Sequence, residues 1–197
     1  MSLIPAFKIG LWNAWILIVY LILIGMVPMF LIGKERKQKM GWPPFNKTEK
    51  ILALTTHAVI MPVAAIYSIF LPLKLGTAWL YVGLLVCFLG GVMAFTANIN
   101  IAATPLVEPF TKGIYRISRH PLYFAGFLVY LGIGIACASW LYLLFAFAWI
   151  ILWHLVLPTE ERDLIDQYGD VYREYVNRTP RWIGIPKMRK MGSDQDN

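Results

Sequence analysis

Four stretches of the chain contain no Lys, Arg, Asp or Glu: residues 9–33, 51–73, 75–107 and 121–157. Between them lie segments dense in charge, proline and glycine, such as "GKERKQKMGWPPFNKTEK" and "LVEPFTKGIYRISRHP". A helix that crosses a bilayer needs about 20 apolar residues. Only helices and closed barrels satisfy their own backbones in lipid. The runs are too long and continuous for barrel strands, so the pattern predicts helical spans over about 9–33, 51–73 and 75–97. The third is expected to lose its helix near "ANINIAATP", where Asn98, Asn100 and Thr104 make the sequence polar.

The last run is too long for one ordinary span. "ACASW", 136–140, supplies small residues and a tryptophan where a tight turn fits, which divides the run into 121–138 and 140–157. Past 157, apolar residues at 164, 165, 168, 171, 172, 175 and 176 share one helical face. The expected fold class is an all-α integral membrane protein: five transmembrane helices plus a cytoplasmic amphipathic C-terminal helix lying on the interface. Glu160, Glu161 and Asp163 are expected in the first turn of that last helix, where its dipole favours acids, and Pro180 ends it. Residues 1–197 read as a single membrane domain. The first run is too long for the apolar region of a signal peptide and lacks a convincing cleavage site.

Composition agrees with this reading. The chain is 58% hydrophobic and 15% charged, whereas soluble domains carry about 25% charged residues. Lys and Arg number six in 34–50 and seven after 157, but only one before the first span. Cytoplasmic loops are the basic ones. The N-terminus is therefore expected outside, with 34–50, 98–120 and the C-terminal segment in the cytoplasm. For a prokaryotic protein, that makes it multi-pass in the plasma membrane. Five spans fit that alternation. The net charge of +7 is mainly this topology signal, and no basic face stands apart from the membrane loops to bind nucleic acid. Cys87 and Cys137 lie in apolar runs and read as small core residues. No spacing of His, Cys and carboxylates suggests a metal.

The candidate chemistry gathers at "SRHPLYFAG", 118–126. Proline is favoured at the first position of a helix, where its missing N–H is no loss. Pro121 is thus expected to open the fourth span with His120 as its cap, leaving the N–H groups of Leu122 and Tyr123 to face an anion. Arg116 and Arg119 lie alongside. The same cations would also serve as plain headgroup anchors. If the fourth and fifth spans form a hairpin, Glu160 and Glu161 return to the His120 end. An anion site beside two carboxylates suits a zwitterionic ligand with hydroxyls. Gly132 and Gly134 sit in mid-span with no strand before them, so they predict close helix packing, with Ala136 and Ala138, rather than a dinucleotide loop.

"GIYRISRHPLYFAG", followed by "EERDLIDQYGDVYREYVNRTPRWI", resembles the isoprenylcysteine carboxyl methyltransferase family. More broadly it resembles the membrane methyltransferases that include phospholipid methyltransferases. The likeness covers about 98–183, and its size is like that of short prokaryotic members. It implies methyl transfer from S-adenosyl-L-methionine, with S-adenosyl-L-homocysteine as product, to the carboxylate of a prenylated cysteine or another lipid-like acceptor entering from the bilayer. It also implies that 98–120 and 158–185 are cytoplasmic segments forming the cofactor site. The positions carried over are Asn100, Val107, Glu108, Pro109, Phe110, Tyr115, His120, Pro121, Leu122, Tyr123 and Glu160. His154 and Arg173 are expected contacts for the acceptor. The family's eukaryotic members place an arginine just before the glutamates, but this chain reads "HLVLPTEE" there. A carboxylate acceptor is already ionised at neutral pH, so no catalytic base is assigned; an amine would have to lose a proton. The alternatives are a phospholipid N-methyltransferase, a nicotinamide-dependent reductase of sterol-like lipids, and a lipid-binding scaffold.

Overall fold

The computed structural model describes residues 8–30, 32–35 and 41–186. Several cations used for the orientation argument, Arg36, Lys37 and Lys39 in the first loop and Lys187, Arg189 and Lys190 in the tail, lie outside the described residues, as does residue 31 of the first expected span. The described elements are α1 (Trp15–Met29), α2 (Lys47–Ile69), α3 (Ala78–Ala103), α4 (Pro121–Ala136), α5 (Trp140–Tyr168) and α6 (Asp170–Arg178). A 3₁₀ turn, Gly113–Arg116, interrupts the loop before α4. No strand occurs among the described residues. Helices α2, α3 and α5 are long and apolar enough to cross a membrane, while α1 and α4 are shorter apolar helices.

Helix α3 outlasts its expected end. Asn98 does not break it, because its side chain returns a hydrogen to a helix carbonyl, and Thr104 does the same at the helix end. Asn98 Nδ2 donates to Ala94 O (3.0 Å), and Thr104 Oγ1 to Asn100 O (2.6 Å). Ala97 and Ile101 are buried on the same turns. The stop comes at Thr104, extended at φ −80°, ψ 134°; the following Pro105 disfavours a helical residue before it.

Helix α5 differs more. It runs unbroken through Pro158 to Tyr168, so Glu160, Glu161 and Asp163 lie deep inside one helix rather than in the first turn of a new one. The dipole account of these acids therefore fails. The break comes at Gly169, whose φ of +60° suits a residue without Cβ, and α6 starts afresh at Asp170. At 1.5 Å per residue α5 is about 43 Å long, against about 30 Å of hydrocarbon. Its last turns must overhang the apolar layer.

Neighbours in the bundle run α1–α3–α4–α5–α2 and back to α1. The closest pair is α3 with α4. A Cβ on Gly83 would collide with the backbone of Ala136 and Gly132, and one on Gly132 with Cys87 and Gly83. Small residues let backbones approach where lipid supplies no hydrophobic drive. Gly132 thus packs helices, as its position predicts, whereas Gly134 faces Leu143 across the α4–α5 turn. That turn falls at "ACAS": Ala138 adopts φ +49°, and Ser139 Oγ accepts the Tyr142 N–H at 3.3 Å. Tyr130, Ile133, Tyr142, Val156 and Leu157 fill the centre.

Helix α2 contains a π-helical turn, Thr56–Ile60, in which the Met61 N–H reaches back to Thr56 O. Pro62 explains it. A proline inside a helix has no N–H to donate and crowds the carbonyl four residues back, and the wider turn absorbs both.

One end of the bundle is tied by Asn13 Nδ2 to Ile69 O (2.7 Å) and by the Lys74 N–H to Ala136 O (3.0 Å). The opposite end gathers residues 41–46, the loop 104–120, the overhang of α5 and α6. The hairpin of α4 and α5 therefore brings residues 120 and 160 to the same end, as the sequence predicts.

Candidate functional site

His120 occupies the N-cap position of α4, but its side chain makes no cap. Its Nε2 instead lies 3.0 Å from Glu161 Oε1. Arg181 forks onto both Glu161 oxygens, Nε to Oε1 at 2.9 Å and Nη2 to Oε2 at 2.8 Å. Arg119 Nη1 adds an ion pair to Oε2 at 3.3 Å. Burial disfavours the Glu161 carboxylate, but the hydrogen bonds from His120 and Arg181, with the nearby Arg119 charge, hold its pKa down to about 2. The same hydrogen bond pushes Arg181 upward. Glu161 is thus committed to the protein.

Around this anchor the backbone closes. The Arg119 N–H donates to Pro180 O (3.0 Å), His120 N–H to Arg181 O (3.3 Å) and Gly184 N–H to Ile117 O (3.1 Å). Tyr175 Oη donates to Tyr115 O at 2.6 Å. The apolar face of the C-terminal segment, expected to rest on lipid, packs on the loop instead: Leu164, Ile165, Tyr172 and Tyr175 join Ile101 and Tyr115 in one cluster. Burial raises the Tyr115 and Tyr172 pKa values well above the usual phenol range, so both stay neutral.

Glu160, one residue before the anchor, faces a cavity of about 320 Å³ and accepts the Tyr123 Oη hydrogen at 3.0 Å. That volume lies within the range of small-molecule sites. Seven of the residues carried over from the family pattern line it: Phe110, Tyr115, His120, Pro121, Leu122, Tyr123 and Glu160. The other four stand outside. Asn100 is a brace, its Oδ1 accepting the Ile114 N–H at 2.9 Å beneath Gly113, where φ is +62°. Val107 is exposed, Glu108 pairs with Lys112 at 2.9 Å, and Pro109 is buried. Neither expected acceptor contact lines the cavity: His154 Nδ1 accepts from Trp182 Nε1 at 3.3 Å, and Arg173 pairs with Asp170 at 3.1 Å.

The rest of the wall comes from elsewhere. Trp42, Pro43, Phe45 and His57 belong to the N-terminal half, which carries no recognisable motif. Trp153 and the turns of Asp163, Leu164 and Gln167 come from α5, and Tyr172 from α6. The aromatic rings form a continuous strip: Phe45 to Trp42 (5.7 Å between centroids), Trp42 to His57 (5.4 Å), His57 to Trp153 (5.4 Å) and Trp153 to Tyr123 (4.2 Å). A clasp holds the N-terminal part in place. Glu49 Oε2 closes the capping box at Asn46 (2.9 Å), while its Oε1 accepts from Thr159 Oγ1 and Arg162 Nη2. For these residues the sequence offered only weak signals: aromatic residues near a basic loop and the acids following Pro158. No cluster of three His, Cys, Asp or Glu side chains suited to a metal occurs among the described residues.

Residues 78–171 match the phospholipid methyltransferase family. Over this segment, just under half of its length, the chain is similar to the membrane methyltransferases. The matched segment contains α3, α4 and α5, hence the His120 mouth and Glu160. A stretch of 73 residues is also 37% identical to methanethiol S-methyltransferase 1 of Bradyrhizobium diazoefficiens, covering 37% of this chain and 25% of that protein. The chain thus spans about a quarter of the length of that curated relative. The kinship expected from the His-Pro-x-Tyr pattern is met at the level of the membrane methyltransferases. The matched segment supplies most of one wall of the cavity, and the N-terminal segment supplies the other.

Proposed function

We propose that this chain is an S-adenosylmethionine-dependent methyltransferase that modifies an amine-bearing lipid at the membrane surface. The observation that carries the acceptor class is the charge of the cavity wall. Glu160 and Asp163 line it, and Arg119, the only arginine or lysine on it among the described residues, already faces Glu161. Such a wall favours an ammonium over a carboxylate.

The residues present fit the donor. Arg119 is nearly buried; its Nη1 meets Glu161 as an ion pair at 3.3 Å without hydrogen-bond geometry, and its Nε has no hydrogen-bond partner among the described residues. Burying such donors unpaired is costly, and a donor carboxylate would satisfy them. Glu160 suits the donor's ammonium or ribose hydroxyls, and Phe110, Tyr115 and Leu122 offer apolar surface for its base. When bound, S-adenosylmethionine supplies an electrophilic methyl group. The protein's part is then to hold both ligands in line and exclude water, for which effective molarities of ~10⁵ M or more are available.

The proposed arrangement is five spans, with the cavity end in the cytoplasm and the membrane being the plasma membrane if the source is prokaryotic. With only 16 residues, α4 is about 24 Å long, shorter than the hydrocarbon layer. A helix this short brings its ends toward the headgroup layers, so a lipid acceptor would reach the His120 mouth from the bilayer while the donor arrives from the water.

A second reading keeps the prenylcysteine carboxylate as acceptor, with the spare Arg119 donors meeting that carboxylate. The relative from Bradyrhizobium is named for a thiol acceptor, a third chemistry. Labelled S-adenosylmethionine offered with phosphatidylethanolamine, a prenylcysteine analogue or methanethiol separates them. Methylation of the amine lipid alone is the expected result, and exclusive methylation of either other acceptor overturns the amine reading.

A further inference from the structure

His57 is used by none of the chemistry above, yet its surroundings are specific. It sits in the π-helical turn of α2 and lines the cavity from the side opposite His120. Its ring lies 5.4 Å from both Trp42 and Trp153 between centroids. Its Nδ1 is 3.0 Å from the Ala53 carbonyl oxygen. A carbonyl can only accept, so Nδ1 carries the hydrogen. In the neutral ring the lone pair then resides on Nε2, the nitrogen farther from the helix backbone, which has no hydrogen-bond partner among the described residues and belongs to an exposed side chain. In the same part of the cavity, Trp153 Nε1 is a buried donor with nothing to donate to. An accessible acceptor and a buried, unpaired donor border the same strip of aromatic rings.

We infer that His57 Nε2 is the proton acceptor for the methyl-accepting substrate, a protonated lipid amine, and that the lobe of Trp42, His57 and Trp153 holds its head. Aromatic faces attract an ammonium, and Trp153 Nε1 can donate to an oxygen of the headgroup. In the step itself, one N–H bond of the ammonium breaks and its electron pair stays on the amine nitrogen. The proton bonds to the Nε2 lone pair, turning the ring into imidazolium held by Ala53 O. The amine lone pair is then free to bond the methyl carbon, whose bond to the donor's sulfonium sulfur would break with its electron pair staying on sulfur, leaving the neutral thioether S-adenosylhomocysteine. The proton later leaves to water at the rim near Asp163 and Gln167, of which Gln167 is exposed. The π-turn created by Pro62 places this ring. The inference rests on the amine reading of the acceptor.

The test uses the full chain in detergent–lipid micelles. In His57→Asn, the amide Nδ2 can keep a bond to Ala53 O while the distal lone pair is lost; His57→Gln is the second variant. With phosphatidylethanolamine, kcat is expected to fall by about 100-fold or more, the usual scale for a positioned base, with KM and S-adenosylhomocysteine affinity within about threefold of the parent. Without donor, nitrogen NMR of ¹⁵N-histidine protein is expected to show the Nδ1–H tautomer at His57, and dodecylamine is expected to shift its Nε2 resonance. Parental kcat in both variants, or an Nε2–H tautomer indifferent to dodecylamine, overturns the role of His57 alone. A parent that methylates no amine removes the amine reading and this role together.

Discussion

The two walls of the cavity contrast in almost every physical respect. The wall built by α3, α4, α5 and α6 is polar, ion-paired and fixed by backbone hydrogen bonds between 117–120 and 180–184. It contains the family pattern and the buried Glu161 anchor. The wall built by residues 41–57 is aromatic and is held by one clasp at Glu49. It lies outside the matched segment. A polar donor common to a family needs the same charges in the same places. An acceptor that differs among relatives needs only an adaptable apolar surface and one or two polar atoms. On the proposed function, the difference teaches that the donor rests mainly on the first wall and the acceptor mainly on the second, with Trp153 of α5 shared between them.

That separation can be attacked in order of expected effect. The largest belongs to Glu161→Gln. Removing a partner from a buried ion pair costs about 3–5 kcal/mol, and three side chains meet this carboxylate. Melting temperature and S-adenosylhomocysteine binding should fall together, as followed by thermal unfolding in detergent. The same anchor sets an acid limit. The folded pKa of Glu161 lies below its unfolded value of about 4.3. Its stabilisation is therefore complete above that pH and is lost as pH falls toward about 2. Melting temperatures measured from pH 6 down to pH 3 should show the decline, and the decline should be absent in the glutamine variant.

Glu160→Gln comes next and should behave oppositely. It removes a charged partner facing the cavity without touching the anchor, so melting stays near parental. Affinity for S-adenosylhomocysteine, measured by titration calorimetry, should weaken about 10- to 100-fold, the worth of a hydrogen bond to a charged group. Equal loss of stability in both variants would erase the distinction between anchor and ligand contact. On the other wall, Trp42→Ala should raise KM for the lipid acceptor about tenfold through lost apolar and aromatic surface while donor affinity is unchanged. The smallest effect is expected for Thr159→Val. Loss of one hydrogen bond of the clasp should lower stability by about 1 kcal/mol and raise acceptor KM modestly, readable by melting and by steady-state kinetics. If it weakened donor binding more than acceptor binding, the clasp would belong to the other wall.

Particular residues explain what was legible in the chain. The α4–α5 turn at "ACAS" and the Pro121 helix start could be read because each rests on a local rule: helix length against bilayer thickness, and the missing N–H of proline. The packing of Gly132 was legible for the same reason. The continuation of α5 through Pro158 was not, because whether a helix tolerates proline depends on what its neighbours supply. Here Thr159 and Glu161 are both held by other elements. The choice between two adjacent glutamates was equally hidden. Both acids sit on one helix, and only the arrival of Arg181 from beyond α6 decides which becomes the anchor and which faces the ligand. His57 carried no sequence signal, since one histidine in an apolar run looks the same whether it meets lipid or a cavity.

The sequence by itself determined a bundle of apolar helices, the hairpin that returns residue 160 to residue 120, and the methyltransferase pattern at the mouth. The first two depend on composition, periodicity and nearby residues, which a linear chain displays, and the third on resemblance to a known family. Tertiary structure alone decided the identity of the buried carboxylate, the aromatic wall from the N-terminal half, and the direction in which His57 presents its lone pair. The first two rest on contacts between residues 20 to 110 positions apart, and His57, though tied to Ala53 four residues back, meets the cavity beside Trp153; such meetings exist only once the helices have closed around the cavity.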